Sequence, residues 1–276
     1  MGAKQIRIAR LFNAQTGRAV NIPVDHGSVL GNVMGLTDPV AVLKQLIDLG
    51  IDSTLMNKGL AKITENLFES KTAPGRVLTA DMTMMGSVPG TAGCMTDHEP
   101  VVTVEEAVRG NFDCMKVLLV WGIDQPIMMK SLKFIAALAG ECDKWNMPLM
   151  VEPVFWGEAI PPEKRGDPEL LEHGTRIALE IGADVLKLPY SGDKKGFADL
   201  VRRMHVPVVI LGGPKMNDLR AVLQVARDST DAGSRGVVFG RNVWQHPQMP
   251  DVVRALQDIV HKGADVDKAM AAHGLK

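Results

Sequence analysis

The sequence predicts an α/β fold, a single-domain (β/α)8 TIM barrel. Short apolar runs alternate with longer stretches of helical period, a rhythm typical of β-α-β units around a parallel sheet. There are eight such runs, the strand number of a barrel, and the 276 residues match the length of one barrel domain. We therefore expect one domain over residues 1–276, with a short helical extension over about residues 1–18.

The eight predicted strands are rich in apolar, often β-branched residues. They cover residues 21–25, 53–57, 76–81, 114–121, 148–155, 184–188, 207–211 and 236–239. Amphipathic helices are predicted between them over residues 39–49, 60–69, 105–111, 126–145, 168–181, 197–204, 218–232 and 252–260. Gly50, Gly182 and Gly233 each follow a helical pattern and precede a strand, a position where a left-handed cap favours glycine. These glycines support the predicted boundaries.

The main alternative fold is an open doubly wound sheet. That fold usually has fewer strands and a glycine fingerprint after the first one, whereas here Asp-His-Gly-Ser follows at 25–28. The sequence contains no Walker loop, no HExxH and no Cys/His cluster with metal-ligand spacing. Residues 86–103, rich in Gly, Ser, Thr and Pro, predict a long loop after the third strand, and such loops build the active sites of barrels.

Composition limits the class of partner and the compartment. The 31 Lys and Arg balance the 32 Asp and Glu without a long block of like charge, which argues against nucleic-acid or anionic-membrane binding. We expect a small-molecule partner. Cys94, Cys114 and Cys142 are odd in number and form no CxxC pair, which indicates a reducing compartment. No secretory signal or membrane span is recognisable, so we expect a cytoplasmic protein.

Lys187 is the most informative residue, because strand alternation turns it into the barrel. Leu186 and Leu188 should face the helices, so Lys187 and Val185 should face the interior. A buried, unpaired ammonium is costly, and proteins often respond by favouring the neutral amine, a nucleophile that forms an imine with a ketone or aldehyde. An interior ion pair, or a side chain that reaches the rim, explains the same pattern from position alone.

Two further lysines compete with Lys187 for the role of nucleophile. Lys116 lies early in a strand pattern, towards the end of a barrel that serves stability, so we interpret it as structural. Lys58 follows the second strand in a loop and is expected to form a salt bridge or, at most, to contact a phosphate.

Two carboxylates are candidates for proton transfer to and from an imine. Asp25 is predicted to close the first strand at the carboxyl-terminal rim, where barrels hold their catalytic groups. It could alternatively cap the next loop or pair with a lysine. His26 has the opposite strand parity and could be structural or substrate-binding. Glu152 lies within an apolar strand, where it either takes part in catalysis or neutralises a nearby cation.

The last two predicted strands end in glycine-containing loops that suit a phosphate. Gly212, Gly213 and Lys215 follow one strand, and Gly240 and Arg241 follow the next. Barrels often bind phosphate at these two loops, where glycine lets the backbone approach and cations add charge-assisted hydrogen bonds. We therefore expect a phosphorylated substrate.

Several motifs in order resemble the archaeal-type class I aldolase family. They are VDHG, ADVLKLPYSGD, ILGGPK, GVVFGRNVWQH and ALQDIVHKGADVDKA. The family includes fructose-1,6-bisphosphate aldolases, aminodideoxyheptulosonate synthases and a thiolase that degrades a phosphorylated quorum signal. The resemblance implies that Lys187 is the Schiff-base lysine, that Asp25 is an active-site carboxylate and that the two glycine loops bind phosphate. It also implies a homo-oligomer, commonly a decamer, and no metal.

One departure from the family pattern leaves the reaction open. The aldolases of the family place a catalytic tyrosine where this chain has Val154, and we hypothesise that Glu152 or a water takes over its proton transfer. The predicted function is a class I aldolase-type lyase of carbohydrate metabolism, acting on a phosphorylated ketose or related hydroxyketone phosphate without a cofactor. The alternatives are a thiolase-like acyltransferase from a phosphorylated diketone to coenzyme A, and a non-catalytic barrel that binds a sugar phosphate.

Overall fold

A computed structural model describes residues 2–82, 88 and 98–276 of the protein. Its strands are β1 (Ala19–Asn21), β2 (Ser53–Met56), β3 (Gly75–Thr79), β4 (Asp81–Met82), β5 (Glu99–Pro100), β6 (Cys114–Val120), β7 (Leu149–Val154), β8 (Val185–Leu188), β9 (Val208–Leu211) and β10 (Gly236–Val238). Eight of them close a parallel barrel in the order β1-β10-β9-β8-β7-β6-β3-β2, while β4 and β5 form a separate antiparallel pair. The predicted eight-stranded barrel is confirmed.

Helices surround the barrel. They are α1 (Ala3–Ala9), α2 (Gly27–Leu30), α3 (Pro39–Asp48), α4 (Lys58–Ile63), α5 (Val104–Arg109), α6 (Gln125–Lys144), α7 (Pro168–Glu180), α8 (Lys194–Met204), α9 (Leu219–Asp231), α10 (Arg241–Trp244), α11 (Met249–Lys262) and α12 (Val266–Ala272), with short 3-10 helices at Glu65–Phe68 and Pro162–Lys164. In the part of the chain that is described, no helix is long and apolar enough to cross a membrane.

Most predicted boundaries agree with the structure to within about three residues, and three do not. The first strand ends at Asn21 rather than at residue 25. The predicted helix over 60–69 is divided at Thr64, where α4 ends and a 3-10 helix begins. Part of the predicted loop over 86–103 is the strand β5, and residues 86, 87 and 89–97 lie outside the described residues. Gly50, Gly182 and Gly233 have the positive φ angles expected of helix ends.

The barrel strands divide their side chains between two cores. Outward residues such as Val20, Met115 and Leu186 join the large core under the helices. Inward residues, among them Val77 and Val185, form a second apolar cluster inside the barrel. Successive side chains of a strand point to opposite faces, which explains this alternation. The apolar cluster fills the barrel interior near the amino-terminal ends of the strands, and polar side chains occupy the interior near the carboxyl ends.

The amino-terminal helix closes the lower end of the barrel. Ile8, Leu11 and Phe12 pack onto the inward cluster, which belongs to the amino-terminal ends of the strands. The ammonium of Lys4 holds the helix in place through Asp184 at 2.7 Å and Asp143 at 2.6 Å. Because this end is filled with apolar side chains, we expect a ligand to reach the barrel interior from the carboxyl ends of the strands.

Candidate active site

An ionic cluster occupies the barrel interior above the inward apolar layer. Oε2 of Glu152 accepts hydrogen bonds from the Nζ atoms of Lys116, at 2.9 Å, and Lys187, at 3.0 Å. All three residues are buried, with exposed fractions of 4% for Lys116, 6% for Glu152 and 7% for Lys187. One carboxylate oxygen therefore bridges two ammonium groups out of contact with bulk solvent.

Strand register brings these three side chains to one level. Val151 pairs with Leu186 across β7 and β8, which sets Glu152 beside Lys187. Leu118 pairs with Glu152 across β6 and β7, so the Lys116 backbone lies one inward position lower. The four-carbon stem of Lys116 spans this step. Lys116, interpreted from the sequence as structural and near the end of the barrel that serves stability, thus reaches the same carboxylate as Lys187 with its ammonium.

The cluster keeps its charges through mutual attraction. Burial alone would raise the pKa of the Glu152 carboxyl, but Lys116 and Lys187 hold that pKa below its usual range. Burial alone would lower the pKa of the Lys116 ammonium, but Glu152, Asp81 and Asp25 raise it above its usual value. At neutral pH, Glu152 is therefore a carboxylate and Lys116 an ammonium. Within the described residues, no group of three or more His, Cys, Asp or Glu side chains is arranged to hold a metal ion.

Asp25 lies at the rim above this cluster and is held from three sides. Its Oδ2 accepts a hydrogen bond of 2.6 Å from the hydroxyl of Thr79, at the end of β3. Its backbone oxygen accepts from Nδ2 of Asn57 at 2.6 Å and from the Ser28 hydroxyl at 3.2 Å. Asp25 follows β1 rather than ending it, yet Val24 still donates to Leu55 of β2 at 2.8 Å. The extended backbone keeps the inward parity that the sequence predicted.

The charge of Asp25 is coupled to both lysines. Burial alone would raise the pKa of its carboxyl, but the neighbouring His26 together with the charges of Lys116 and Lys187 holds that pKa well below its usual range. Nδ1 of His26 lies 3.4 Å from Oδ1 of Asp25, a long contact. Asp25 is therefore a carboxylate that faces the two amines across the mouth of the barrel.

A second buried network anchors the β4-β5 hairpin beside the cluster. Asp81 accepts from the backbone N–H of Leu118 at 2.6 Å, and its Oδ2 lies 2.7 Å from Nε2 of His98. Nδ1 of His98 lies 3.0 Å from the hydroxyl of Ser131 on α6. Burial alone would raise the pKa of the Asp81 carboxyl, but Lys116, His98 and the Leu118 N–H hold it below its usual value. The network ties the hairpin both to β6 and to the helix layer.

The loops after β9 and β10 are joined at a partly buried guanidinium. Arg241 donates to the carbonyl of Gly213 at 3.1 Å, while its Nε is buried without a hydrogen-bond partner in the described chain. Asn242 fastens the two loops, donating to the carbonyls of Gly212 at 2.8 Å and Pro214 at 3.1 Å. A buried guanidinium with an unused donor suits an anion.

The other residues predicted for phosphate binding divide into two groups. His26 packs directly over Gly240, where an added Cβ would lie 2.7 Å from its Cε1. The ring also meets Trp244 edge to face, at 5.2 Å between centroids. His26 thus lies between Asp25 and the loop after β10. Lys215, in contrast, is exposed and forms no ion pair among the described residues.

Val154 belongs to an apolar wall on one side of the mouth. It clusters with Leu118 and Val120 of β6, and three partly buried side chains, Ile123, Trp156 and Leu211, pack against this group. Val120 pairs with Val154 directly above the pair formed by Leu118 and Glu152. The mouth therefore has an apolar side formed by β6, β7 and β9, and a polar side formed by β3 and the segment after β1.

Comparison with known proteins assigns the family. The model of the DeoC/LacD family aldolases matches residues 19–246, which include all eight barrel strands. The chain belongs to the DeoC/LacD family of aldolases. This aldolase is 33% identical to 2-amino-3,7-dideoxy-D-threo-hept-6-ulosonate synthase of Halobacterium salinarum, over 98% of this chain and 97% of the relative. It is 30% identical to an uncharacterized aldolase of Saccharolobus solfataricus, over 98% of both chains.

Solved structures of archaeal fructose 1,6-bisphosphate aldolases share the fold of this family member. One has a TM-score of 0.82 at 26% identity, covering 94% of this chain and 100% of the other. A second, with a TM-score of 0.81, covers 94% of this chain and 99% of the other, and holds its catalytic lysine bound to the carbinolamine of the substrate. The predicted family and the predicted aldolase-type lyase activity are thereby confirmed.

Sequence reasoning missed two residues that shape this site, Thr79 and Asn242, and did not predict the contact that Lys116 makes there. Lys116 had the same signal as Lys187, a lysine inside an apolar strand, but its reach could not be judged without the strand register. Thr79, the partner of Asp25, is an ordinary strand residue in the sequence. Asn242 follows Arg241 directly and joins the loops after β9 and β10 by hydrogen bonds. The only sign of this role in the sequence is a short polar side chain after a glycine loop.

Proposed function

We propose that this aldolase cleaves a phosphorylated ketose, or a related hydroxyketone phosphate, through an imine on Lys187. The observation that carries the proposal is the buried Lys187 amine, 3.0 Å from Glu152 on the inner face of the barrel. A buried amine beside a carboxylate can attack a carbonyl and exchange protons with its neighbour. The covalent lysine of the archaeal fructose-1,6-bisphosphate aldolase supports the same chemistry.

The proposed reaction needs one amine and two proton carriers. The neutral Lys187 amine adds to the substrate ketone, and the oxygen of the carbinolamine leaves as water to give an iminium ion. A base removes the proton of the substrate hydroxyl, the carbon–carbon bond breaks to release an aldehyde, and the bonding electrons pass into the iminium to give an enamine. Protonation of the enamine carbon and hydrolysis then release the ketone product and restore the amine.

The two carboxylates suit different steps of this sequence. Glu152 touches Lys187 and can carry protons during carbinolamine formation and dehydration. Asp25 faces the cluster from the rim, where a substrate hydroxyl would lie, and the hydrogen bond from Thr79 orients it. We assign proton removal from that hydroxyl to Asp25. In the related aldolases a tyrosine on this strand transfers protons, and Val154 holds its position here. We assign that proton transfer to Glu152.

The phosphate of the substrate is assigned to the loops after β9 and β10. Arg241 would donate to it, while Gly212, Gly213 and Gly240 let the backbone approach, and His26 lies above Gly240. The exposed Lys215 would add a second cation to this loop. In this arrangement the substrate spans from Arg241 to the Lys187 amine.

A second candidate function rests on Val154. Its apolar wall leaves no hydroxyl where the related aldolases carry tyrosine, so acyl transfer from a phosphorylated diketone to coenzyme A competes with aldol cleavage. Coenzyme A would then be a co-substrate. Dependence of turnover on coenzyme A separates the two reactions.

The proposed function is tested by turnover of a panel of phosphorylated ketoses and diketones, with and without coenzyme A. We expect coenzyme A-independent cleavage of a ketose phosphate that disappears in Lys187→Met. A folded Lys187→Met variant that retains turnover would overturn the imine mechanism. Binding of the same ligands to the wild type without any turnover would favour the non-catalytic barrel that binds a sugar phosphate.

Assembly and location remain predictions. The cysteine pattern of the sequence favours a cytoplasmic location, and the family resemblance implies a homo-oligomer, commonly a decamer. Exposed apolar side chains such as Ile6, Met34 and Ile63, 64% to 73% accessible, would suit contacts between copies. Light scattering of the purified protein measures the number of copies directly.

A further inference from the structure

Aliphatic side chains flank the space above the Lys187 amine on both sides. Lys187 pairs with Val209 of β9, and Leu211 is the next inward residue of that strand. On β7, Val154 is the next inward residue above Glu152, the neighbour of Lys187. Leu211 packs against the apolar group that contains Val154. Carbon atoms of a substrate next to its ketone therefore meet aliphatic surface here.

Trp156 extends this apolar wall towards the open end of the barrel. It lies two residues after Val154, in the loop that follows β7, and its ring is partly buried. The ring packs against the group formed by Leu118, Val120 and Val154. An indole ring has a large, flat apolar face, so it can contribute much of the contact area of a binding site.

The loop that carries Trp156 is fastened to the loop after β6. The backbone N–H of Gly157 donates to the carbonyl of Trp121 at 3.0 Å, and that of Ala159 donates to the carbonyl of Gly122 at 2.9 Å. Gly157 packs so closely on Gly122 that an added Cβ would lie 2.0 Å from the carbonyl carbon of Gly122. Glycine permits this approach of two backbones, which holds Trp156 beside the wall.

The order of the strands sets the direction in which a substrate reaches Trp156. The proposed phosphate loops follow β9 and β10, the wall belongs largely to β6 and β7, and β8 with Lys187 lies between them. A substrate with its phosphate at Arg241 and its ketone at Lys187 therefore directs its remaining carbons towards the wall.

The charges around the wall do not favour a second phosphate there. The exposed Arg165 donates to the backbone carbonyl of Trp156 at 3.4 Å, a long contact made outside the apolar group. A phosphate against the wall would lose hydration without gaining comparable hydrogen bonds. An uncharged group would instead gain from burial against the indole ring.

We infer that Trp156 is a specificity-determining residue that binds an uncharged, apolar end of the substrate, opposite the phosphate. The inference rests on the proposed imine on Lys187 and narrows the proposed substrate class. The substrate is a hydroxyketone with one phosphate, and it carries an alkyl or aromatic group beyond the bond that breaks. A ketose bisphosphate is a poor substrate, because its second phosphate meets the wall.

Adduct formation with two uncharged diketones tests the apolar site without turnover. The probes are 2,4-pentanedione and 1-phenyl-1,3-butanedione; the neutral amine adds to one carbonyl, water leaves, and an enaminone remains. Peptide mapping by mass spectrometry gives the rate of modification of Lys187 by each probe, divided by the rate of the same probe with free Nα-acetyllysine. We expect the wild type to prefer the phenyl diketone about 10-fold or more.

Variants of Trp156 assign that preference to the indole ring. In Trp156→Ala the preference should fall to within about 3-fold, whereas Trp156→Phe, which retains an aromatic ring, should keep most of it. Trp145→Ala is the matched control, because Trp145 is 41% exposed at the end of α6, and it should leave the preference unchanged. A wild type without the preference, or a folded Trp156→Ala that retains it, would overturn the inference.

A second measurement compares kcat/KM for a ketose monophosphate and for the corresponding bisphosphate. The wild type should favour the monophosphate, and Trp156→Arg should shift the ratio towards the bisphosphate about 10-fold, since it adds a cation at the wall. A wild type that prefers the bisphosphate and loses this preference in Arg165→Met would overturn the inference.

The two measurements separate failure of the inference from failure of the proposed function. A folded wild type in which neither diketone modifies Lys187 would refute the proposed imine, and the inference with it. Modification of Lys187 by both diketones at equal relative rates would refute the inference alone. Because the diketones carry no phosphate, their outcome holds even if no ketose phosphate is turned over.

Discussion

Thr79 donates a 2.6 Å hydrogen bond from its hydroxyl to Oδ2 of Asp25, which links β3 to the segment after β1 at the mouth of the barrel. This contact fixes the carboxylate that faces Lys187. Thr79→Val keeps the shape of the side chain and removes the donor. We expect kcat to fall about 10-fold or more, because a hydrogen bond to a charged group contributes about 1.5 to 3 kcal/mol. Steady-state kinetics check this, with Thr79→Ser as the control that retains the hydroxyl and most of the activity.

Arg241 is expected to act on substrate binding rather than on bond cleavage. Arg241→Met should raise KM for the phosphorylated substrate by about 10- to 100-fold with a smaller change in kcat, because charge-assisted hydrogen bonds to the phosphate are lost. Inorganic phosphate should inhibit the wild type competitively and the variant less. Lys215→Met serves as the matched control and should change KM little, since Lys215 is exposed. A large effect of Lys215→Met with none for Arg241→Met would place the phosphate elsewhere.

Asp81 makes the stability of the barrel depend on pH. Its pKa is lower in the folded state than in the unfolded chain, so its stabilising contribution is complete above about pH 5 and declines as the pH falls below about 4. Asp81→Asn should lower the free energy of unfolding at pH 7 by about 3 kcal/mol and flatten its decline between pH 5 and pH 3. Urea unfolding at each pH measures both effects.

An exposed pair provides the control for the Asp81 prediction. Asp199 pairs with Arg202 at 2.8 Å, with side-chain exposures of 47% and 77%. Asp199→Asn should change the free energy of unfolding by no more than about 0.5 kcal/mol, since exposed pairs contribute little. An Asp81→Asn variant that behaves in the same way would show that the buried network does not stabilise the hairpin.

The apolar wall around Val154 should decide which carbons of a substrate face β6 and β7. We expect a substrate that is deoxygenated at the carbon next to this wall to have the higher kcat/KM, because the wall offers no hydrogen bond to a hydroxyl. Val154→Thr adds a hydroxyl with little change in shape and should lower the preference about 10-fold. The deoxygenated and the hydroxylated substrate are compared on the same variant, so that a loss of stability affects both values of kcat/KM equally. If Val154→Thr leaves the ratio of the two kcat/KM values unchanged, the substrate does not contact the apolar wall at Val154.

Most of the fold could be predicted from the sequence because its signals are local. Strand alternation alone placed Lys187 inside the barrel, and glycines such as Gly182 marked where helices end. The parity of Asp25 also held, although β1 ends before it, since the extended backbone continues past the strand. The pair β4 and β5 was missed because each strand has only two residues.

The level of each side chain along the barrel axis was beyond local reasoning. It depends on the stagger between neighbouring strands, which arises when the whole sheet closes. The contact of Lys116 with Glu152 therefore became visible only in the strand register. The phosphate-binding role of Lys215, an exposed residue, stays a prediction.

The most direct test of the account is the identity of the lysine that forms the imine. The protein is incubated with each phosphorylated ketose that it turns over, reduced with borohydride, digested and mapped by mass spectrometry. We expect a reduced adduct on Lys187 and none on Lys116, although both amines contact the same oxygen of Glu152. Turnover without an adduct on Lys187, or an adduct on Lys116, would contradict the account.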